Sequence, residues 1–265
     1  MRAPARWLVR CAVLVLVGLG IWQLSRLNAA PTGAGGVPTG ATARRITFRG
    51  HTFDTYTVDL RRTPVRMFWK DGNGNRYGSF ERLAGGLARD GRRLLFATNA
   101  GMFSPAYQPV GLYVERGREL RPLELGSGTG NFYLRPNGVF YVGAGRAGIL
   151  PSEVFARVKP RNVEFATQSG PLLVIDGAVH RAFQPGSANR VVRSGVGVID
   201  SHRVVFAISD EPVSFHDFAL LFRDALGCAN ALYLDGFVSK MYLPELGRRD
   251  RDSDFGVIVA VTAPE

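Results

Sequence analysis

Apolar and polar positions along this chain fall into three regimes. Near the amino end an apolar run, Cys11 to Trp22 (CAVLVLVGLGIW), follows the basic lead of Arg2, Arg6 and Arg10, and Arg26 closes it. From Ile46 onward the pattern breaks into short segments of strand character, separated by Gly, Asn and Pro. Thr52–Leu60 alternates, with Phe53, Tyr56 and Val58 among polar neighbours. Val65–Trp69, Arg93–Thr98, Gly111–Glu115, Asn131–Leu134, Val139–Val142, Val163–Thr167, Leu172–Ile175 and Val196–Ile199 read as further strands. Arg203–Ile208 and Leu232–Leu234 are mostly apolar, which predicts strands covered on both faces. Asp71-Gly72-Asn73-Gly74 is a turn signal, and Arg135-Pro136-Asn137-Gly138 is expected to close a hairpin between 131–134 and 139–142.

The third regime is helical. Phe80–Leu87 is expected to form a helix ending near Gly91. A second helix is better marked: Ser214 stands at the N-cap with Asp217 at N3, and Gly227 ends it. Between them Phe215, Phe218, Ala219, Phe222 and Leu226 repeat at helical spacing. His216 then reads as a helix-face residue rather than a base or ligand. The fold class expected is α+β: a single mixed domain of twisted, mostly β sheets with a few helices, over residues 44–265. An N-terminal membrane anchor in 1–30 and a flexible Gly/Pro/Thr/Ala linker over 31–43 precede it.

Charge sharpens the anchor reading. The 265 residues carry 33 Lys and Arg against 22 Asp and Glu, a formal +11. Residues 1–30 hold four arginines and no acid, which leaves 29 basic residues against 22 acidic ones, or +7, in the remainder. Three arginines before the apolar run and one after it orient the start inside and the domain outside. Pro31 directly after Asn28-Ala29-Ala30 suits a signal peptidase poorly, so an uncleaved signal anchor is expected; a cleaved signal would make the chain secreted. The domain is expected on the extracytoplasmic side. Its positive balance favours anionic partners, and the scattered arginines argue against nucleic acid. The two cysteines, Cys11 and Cys228, allow no disulfide framework within the domain, and Cys228 reads as a buried thiol. The four histidines show no metal-ligand spacing, so no metal or other cofactor is expected, although spacing leaves carboxylate or carbonyl sites for a divalent ion open.

The GxGxxG at Gly143–Gly148 lacks the helix start that a dinucleotide fingerprint needs. Pro151 and Ser152 mark the helix instead, so the glycines read as a turn. Candidate chemistry lies in loops at strand ends: Asn99–Phe103, Thr167–Pro171, Arg193–Gly197, Ser209–Pro212 and Leu234–Ser239. Glycines there let backbone N–H groups approach a ligand, and an arginine suits phosphate. Asp210, Glu211 and Asp235 are carboxylates of the kind that glycosidic cleavage uses.

Five ordered stretches carry a resemblance: TNAGMF at 98–103, GNFYLRPNGVF at 130–140, ATQSGPLL at 166–173, RSGVGV at 193–198 and ALYLDGFVSKMY at 231–242. With them the chain resembles the phosphodiester glycosidase family, in its bacterial exported branch. The resemblance spans about residues 48–262 and implies a mixed α+β domain and hydrolysis of a sugar-1-phosphodiester bond. It implies Asn99, Arg193 and Asp235 as the catalytic centre. Gln168, Ser169, Ser209 and Ser239 would line it, with Gly101, Gly170 and Gly236 shaping its backbone. Phe103 and Glu211 join the substrate-binding set, Glu211 or Asp210 as the partner carboxylate. Members often carry Gly or Ser where Phe237 stands, so Phe237 is expected to narrow the pocket or stack on a sugar. The expected partners are a sugar-phosphodiester or envelope glycan, and the membrane through the anchor. The alternative function is a non-catalytic module binding envelope glycan or phosphate polymer.

Overall fold

Strands that are apolar on both faces need cover on both faces, and three sheets around one shared core supply it. The computed structural model describes residues 40–251 and 254–265. Its seven-stranded sheet runs, edge to edge, Ala41–Phe48, His51–Asp59, Arg203–Ser209, Ser194–Asp200, Asn230–Tyr233, Leu172–Ile175 and Ala178–Val179. Every neighbouring pair in it is antiparallel. A second sheet has five strands: Arg248–Arg249, Met241–Leu243, Arg92–Asn99, Ile258–Pro264 and Val65–Phe68. The third, also of five, runs Arg118–Arg121, Tyr113–Glu115, Phe165–Ser169, Gly138–Gly143 and Arg146–Pro151. A short ribbon pairs Arg190–Val191 with Val213–Ser214.

Alternation along single strands explains the layers. Val204, Phe206 and Ile208 enter the central core, where Phe96 and Val259 of the second sheet and Tyr113 and Phe140 of the third meet them. Tyr56 stacks on Phe96 there, with ring centroids 4.4 Å apart. Val205 and Ala207, on the opposite face, pack under the helix Phe215–Leu220 through Phe218, Ala219 and Phe222. The second sheet buries Leu94, Ala97 and Ala260 beneath the helix Phe80–Arg89, through Phe80, Leu83 and Leu87. The third sheet receives Phe155 of the helix Ser152–Val158. Each such fully buried Phe or Leu contributes roughly 1.5–3 kcal/mol of transfer free energy. Gly197 lets the helical turn that carries Phe222 come close, since a Cβ there would lie 2.7 Å from Phe222 and 2.6 Å from the sulfur of Cys228.

The Ser214 cap is formed, its hydroxyl accepting from the Asp217 N–H at 3.0 Å. The helix continues past Leu220 as a π-helical turn, Leu221–Ala225, before Gly227 at φ +66°. Cys228 is buried, and burial pushes its thiol up to about 12. The glycine-rich segment is a tight hairpin turn, with Ala144 and Gly145 both left-handed.

Two expectations change. No hairpin forms at Arg135–Gly138. Asn131–Tyr133 is a single 3-10 turn, held by a 2.9 Å bond from the Asn137 amide to the Phe132 carbonyl. Gly138–Gly143 pairs with Arg146–Pro151 and Phe165–Ser169 instead. The first strand begins at Ala41, inside the segment read as linker, because Ala41–Phe48 pairs along its whole length with His51–Asp59. The expected anchor, residues 1–30, lies outside the described residues. Among the described residues no helix is long and apolar enough to cross a membrane.

Candidate active site

Antiparallel pairing brings three strand ends together: Asn99 at the end of its strand, Arg193 and Ser194 at the start of theirs, and Leu234–Ser239 following Asn230–Tyr233. Asn99 is the bolt between them. Its amide nitrogen donates to the Asp235 carbonyl at 2.9 Å, and its oxygen accepts from the Ser194 hydroxyl at 3.0 Å and the Lys240 N–H at 3.2 Å. The Ser239 hydroxyl lies 3.1 Å from that of Ser194. The Asp235 N–H donates to the Ala100 carbonyl at 3.2 Å. Asn99, Ser194 and Ser239 thus fix the Asp235 loop to two sheets at once.

Asp235 is 8% exposed and borders a cleft of about 560 Å³. Phe103, Tyr107, Phe132, Tyr133 and Phe237 give that cleft an aromatic lining. The Phe237 N–H donates to the carboxylate at 3.0 Å. Burial raises the pKa of Asp235 above its ordinary value, while hydrogen bonds from the Phe237 and Phe103 N–H groups oppose the rise. Phe237 is 98% exposed and stands between this cleft and a second, about 450 Å³, bordered by Lys240 and Arg248.

Arg193 enters the polar centre from behind rather than from the cleft. It is fully buried. Its Nε donates to the Val213 carbonyl at 2.9 Å, one Nη to the Tyr233 hydroxyl at 3.1 Å, and the other to the Asn189 carbonyl and side-chain oxygen, each at 3.0 Å. The guanidinium lies 3.5 Å from the ring centroid of Phe215. Burial lowers its pKa from the ordinary arginine value. Among the described residues no carboxylate pairs with it. Tyr233 links the two halves of the site: its hydroxyl accepts from Arg193 and lies where a Cβ on Gly236 would be, 1.3 Å away. Burial pushes that phenol up to about 12. Gly236 is therefore required by close approach.

The remaining expected residues separate. Phe103 lines the Asp235 cleft, whereas Gly236 and Ser239 line the neighbouring cleft of Lys240 and Arg248. Gly101 backs onto the Gln168 carbonyl, and a Cβ at Gly170 would meet the Phe132 carbonyl at 2.7 Å, so both positions are held to glycine by close approach. Ser209 supports Arg193, accepting from its N–H at 3.1 Å. Ser169 is buried, and its hydroxyl has no partner among the described residues. Gln168 does not face the cleft. Its oxygen accepts from Leu112 and Glu124 N–H groups, both at 2.9 Å, and its nitrogen donates to the Glu124 carbonyl at 2.7 Å and the Ser152 hydroxyl at 2.9 Å. That saturates the amide. Glu211 also lies elsewhere, holding the His51 ring at 3.0 Å and the Thr52 N–H at 2.8 Å, while Asp210 pairs with Arg248. Among the described residues no three His, Cys, Asp or Glu side chains converge as a metal site.

Sequence reasoning passed over Tyr233. The available signal was a phenol in the strand Ala231-Leu232-Tyr233-Leu234, since a buried Tyr hydroxyl needs a partner.

The family model described as phosphodiester glycosidase matches residues 92–257. An uncharacterised protein of Escherichia coli K12, YigE, is 36% identical over 192 residues, covering 72% of this chain and 74% of its own. In fold, the chain is similar to the catalytic domain of zebrafish N-acetylglucosamine-1-phosphodiester α-N-acetylglucosaminidase, auto-inhibited by its pro-peptide. That match has a TM-score of 0.55 at 16% identity, over 88% of this chain and 86% of that one. A hypothetical protein from Synechocystis matches with a TM-score of 0.51 at 17% identity, over 84% and 62%.

Proposed function

The chain belongs to the phosphodiester glycosidase family, and from that premise we propose that it hydrolyses a sugar-1-phosphodiester at the anomeric carbon, with Asp235 as the reacting carboxylate. One observation carries the reading. A poorly solvated carboxylate borders an aromatic-lined cleft, and a buried, un-neutralised arginine stands behind it through Tyr233. The aromatic rings suit the apolar faces of a sugar. The unpaired cation suits an anionic substrate.

In the ionised state Asp235 takes the proton of a water that attacks the anomeric carbon, or attacks that carbon itself and is released by water afterwards. In either course the bond between anomeric carbon and phosphate oxygen breaks, and its electron pair leaves on the phosphate. A phosphate is a stable anion, so its departure needs no proton donor. This accommodates a cleft in which Asp235 is the lining acid, with Glu211 and Asp210 bonded elsewhere. Asn99 and Ser239 act as positioning residues, because they hold the backbone of the Asp235 loop. The proposed location is extracytoplasmic, on the strength of the basic lead and apolar run in residues 1–30, with envelope glycan metabolism as the setting.

The test incubates the protein with UDP-sugars and simple sugar-1-phosphodiesters and measures free sugar. The reading expects release by the wild type and its loss in Asp235→Asn. Saturable binding without release would instead support the non-catalytic module.

A further inference from the structure

A third, smaller cavity adjoins the Asp235 cleft on another side from that of Lys240 and Arg248. It has a volume of about 200 Å³ and shares Asn131 with the cleft. Phe183 and Phe215, stacked with centroids 4.8 Å apart, form one wall. Ser187, Asn189 and His216 supply polar edges, and no acidic side chain borders it.

Several observations give this cavity a sign. Arg193 lies directly behind it, its guanidinium on the far side of Phe215 and Asn189, with no carboxylate partner among the described residues. A buried cation without a counter-ion keeps a positive potential over its neighbourhood, and the low local dielectric strengthens it. The Asn189 side-chain oxygen is tied to that guanidinium. Asn189 borders the cavity, and its amide NH2 is the part of that side chain left to donate to a ligand. The Ser187 hydroxyl already accepts from the Asn189 N–H at 3.3 Å, which leaves its proton for another acceptor. His216 borders the cavity as well, and among the described residues its ring Nδ1 has no hydrogen-bond partner. The surrounding segment, residues 177–199, carries Arg181, Arg190 and Arg193 and no Asp or Glu. Polar hydrogen-bonding groups border the cavity, positive charge backs it, and the space is large enough for a tetrahedral oxyanion.

We propose that this cavity is an oxyanion subsite of the phosphate class, which holds the phosphate of the substrate while the sugar occupies the Asp235 cleft across Asn131. The assignment rests on the sugar-phosphodiester reading. It adds which wall of the site receives the charge, and it names Asn189, Ser187 and His216 as the residues that do so. Arg193 contributes through its field and by orienting Asn189.

The experiment titrates inorganic phosphate into the full chain by calorimetry, for the wild type and for Asn189→Leu, His216→Phe and Ser187→Ala. Thermal unfolding without phosphate checks that each variant is folded. The wild type is expected to bind phosphate saturably and to be inhibited competitively by it. Asn189→Leu and His216→Phe should each weaken binding by about tenfold or more, roughly 1.4 kcal/mol, and raise KM more than they lower kcat. Absence of saturable phosphate binding in the wild type would overturn the subsite. So would unchanged binding in all three folded variants, which would put the ion elsewhere. If phosphate binds here and the variants lose it, but no sugar phosphodiester is turned over, the subsite stands and the hydrolytic reading falls.

Discussion

Asp235 shows how a single residue serves chemistry at the expense of stability. Among the described residues its carboxylate keeps only backbone N–H partners, from Phe237 and Phe103, and burial raises its pKa. A carboxylate whose folded pKa is raised binds its proton more tightly when folded than when unfolded. Its ionisation therefore costs stability progressively as pH rises from the unfolded value, near 3.8, to the raised folded value, and the cost stays constant above it. Asp235→Asn keeps an oxygen for the Phe237 N–H and removes the buried charge. The variant is expected to unfold at a higher temperature than the wild type at pH 7, by about 2–4 °C per kcal/mol gained. The advantage should vanish as the pH drops below about 4, where the wild-type carboxyl is protonated as well. Thermal unfolding across pH checks this, and a variant less stable at every pH would contradict it. The same raised pKa predicts that the acid limb of turnover lies above the ordinary aspartate value. Asp235 itself was legible as a carboxylate beside a glycine at a strand end. Its partners were not, because Phe103 lies more than a hundred residues away in sequence.

At the scale of elements, Gln168 separates building from binding. One buried amide ties the strand Phe165–Ser169 to the loops carrying Leu112 and Glu124 and to the start of the helix Ser152–Val158. Gln168→Ala leaves those groups unsatisfied and opens a cavity, and is expected to cost about 3–5 kcal/mol. Urea unfolding measures that loss. In the folded fraction kcat/KM should change by less than about threefold, since the amide touches no cleft; a far larger fall in kcat/KM would restore Gln168 as a binding residue. Element-level structure was otherwise well written in the pattern. That this strand is covered on both faces, with Phe206 on one and Val205 and Ala207 on the other, is visible in its unbroken apolar run. So are the Ser214 cap and the Gly227 stop. The hairpin expected at Pro136-Asn137-Gly138 failed because the Asn137 side chain bonds the Phe132 backbone and draws the preceding segment into a turn. The strand Ile258–Pro264, central to the second sheet, went unread because a short apolar run near a chain end carries no alternation.

At the scale of the whole molecule, the sheets are joined by charge as well as by the core. Asp54, on the large sheet, is fully buried and accepts from both ends of the Arg45 guanidinium at 2.8 and 2.9 Å. Arg248, on the second sheet, reaches it at 3.2 Å and also holds Asp250 at 3.0 Å. Burial is the largest single influence on Asp54 and pushes its pKa up. The hydrogen bonds and charges of Arg45 and Arg248 together outweigh it, so the pKa lies below the ordinary value. A depressed carboxylate contributes stability above its unfolded pKa and loses it as pH falls through the folded one. Asp54→Asn is therefore expected to be less stable at pH 7 by about 2 kcal/mol, with a shallower loss of stability in acid than the wild type. Thermal unfolding from pH 7 to pH 2 checks both, and parallel acid limbs would contradict the assignment. This network, the pairing of Glu211 with His51, and the seating of Arg193 under Tyr233 all join residues far apart in sequence, so spacing carried no trace of them. The residue types of the site were legible, and their division into reacting, positioning and structural groups was not.

The most direct measurement is release of free sugar from a sugar-1-phosphodiester by the wild type and by Asp235→Asn at matched folded concentration. The structure and the family together predict turnover by the wild type and a fall of at least about a thousandfold in kcat for the variant, some 4 kcal/mol of barrier. Equal rates for the two folded proteins would contradict Asp235 as the reacting carboxylate, and no release by the wild type from any such substrate would contradict the hydrolytic function itself.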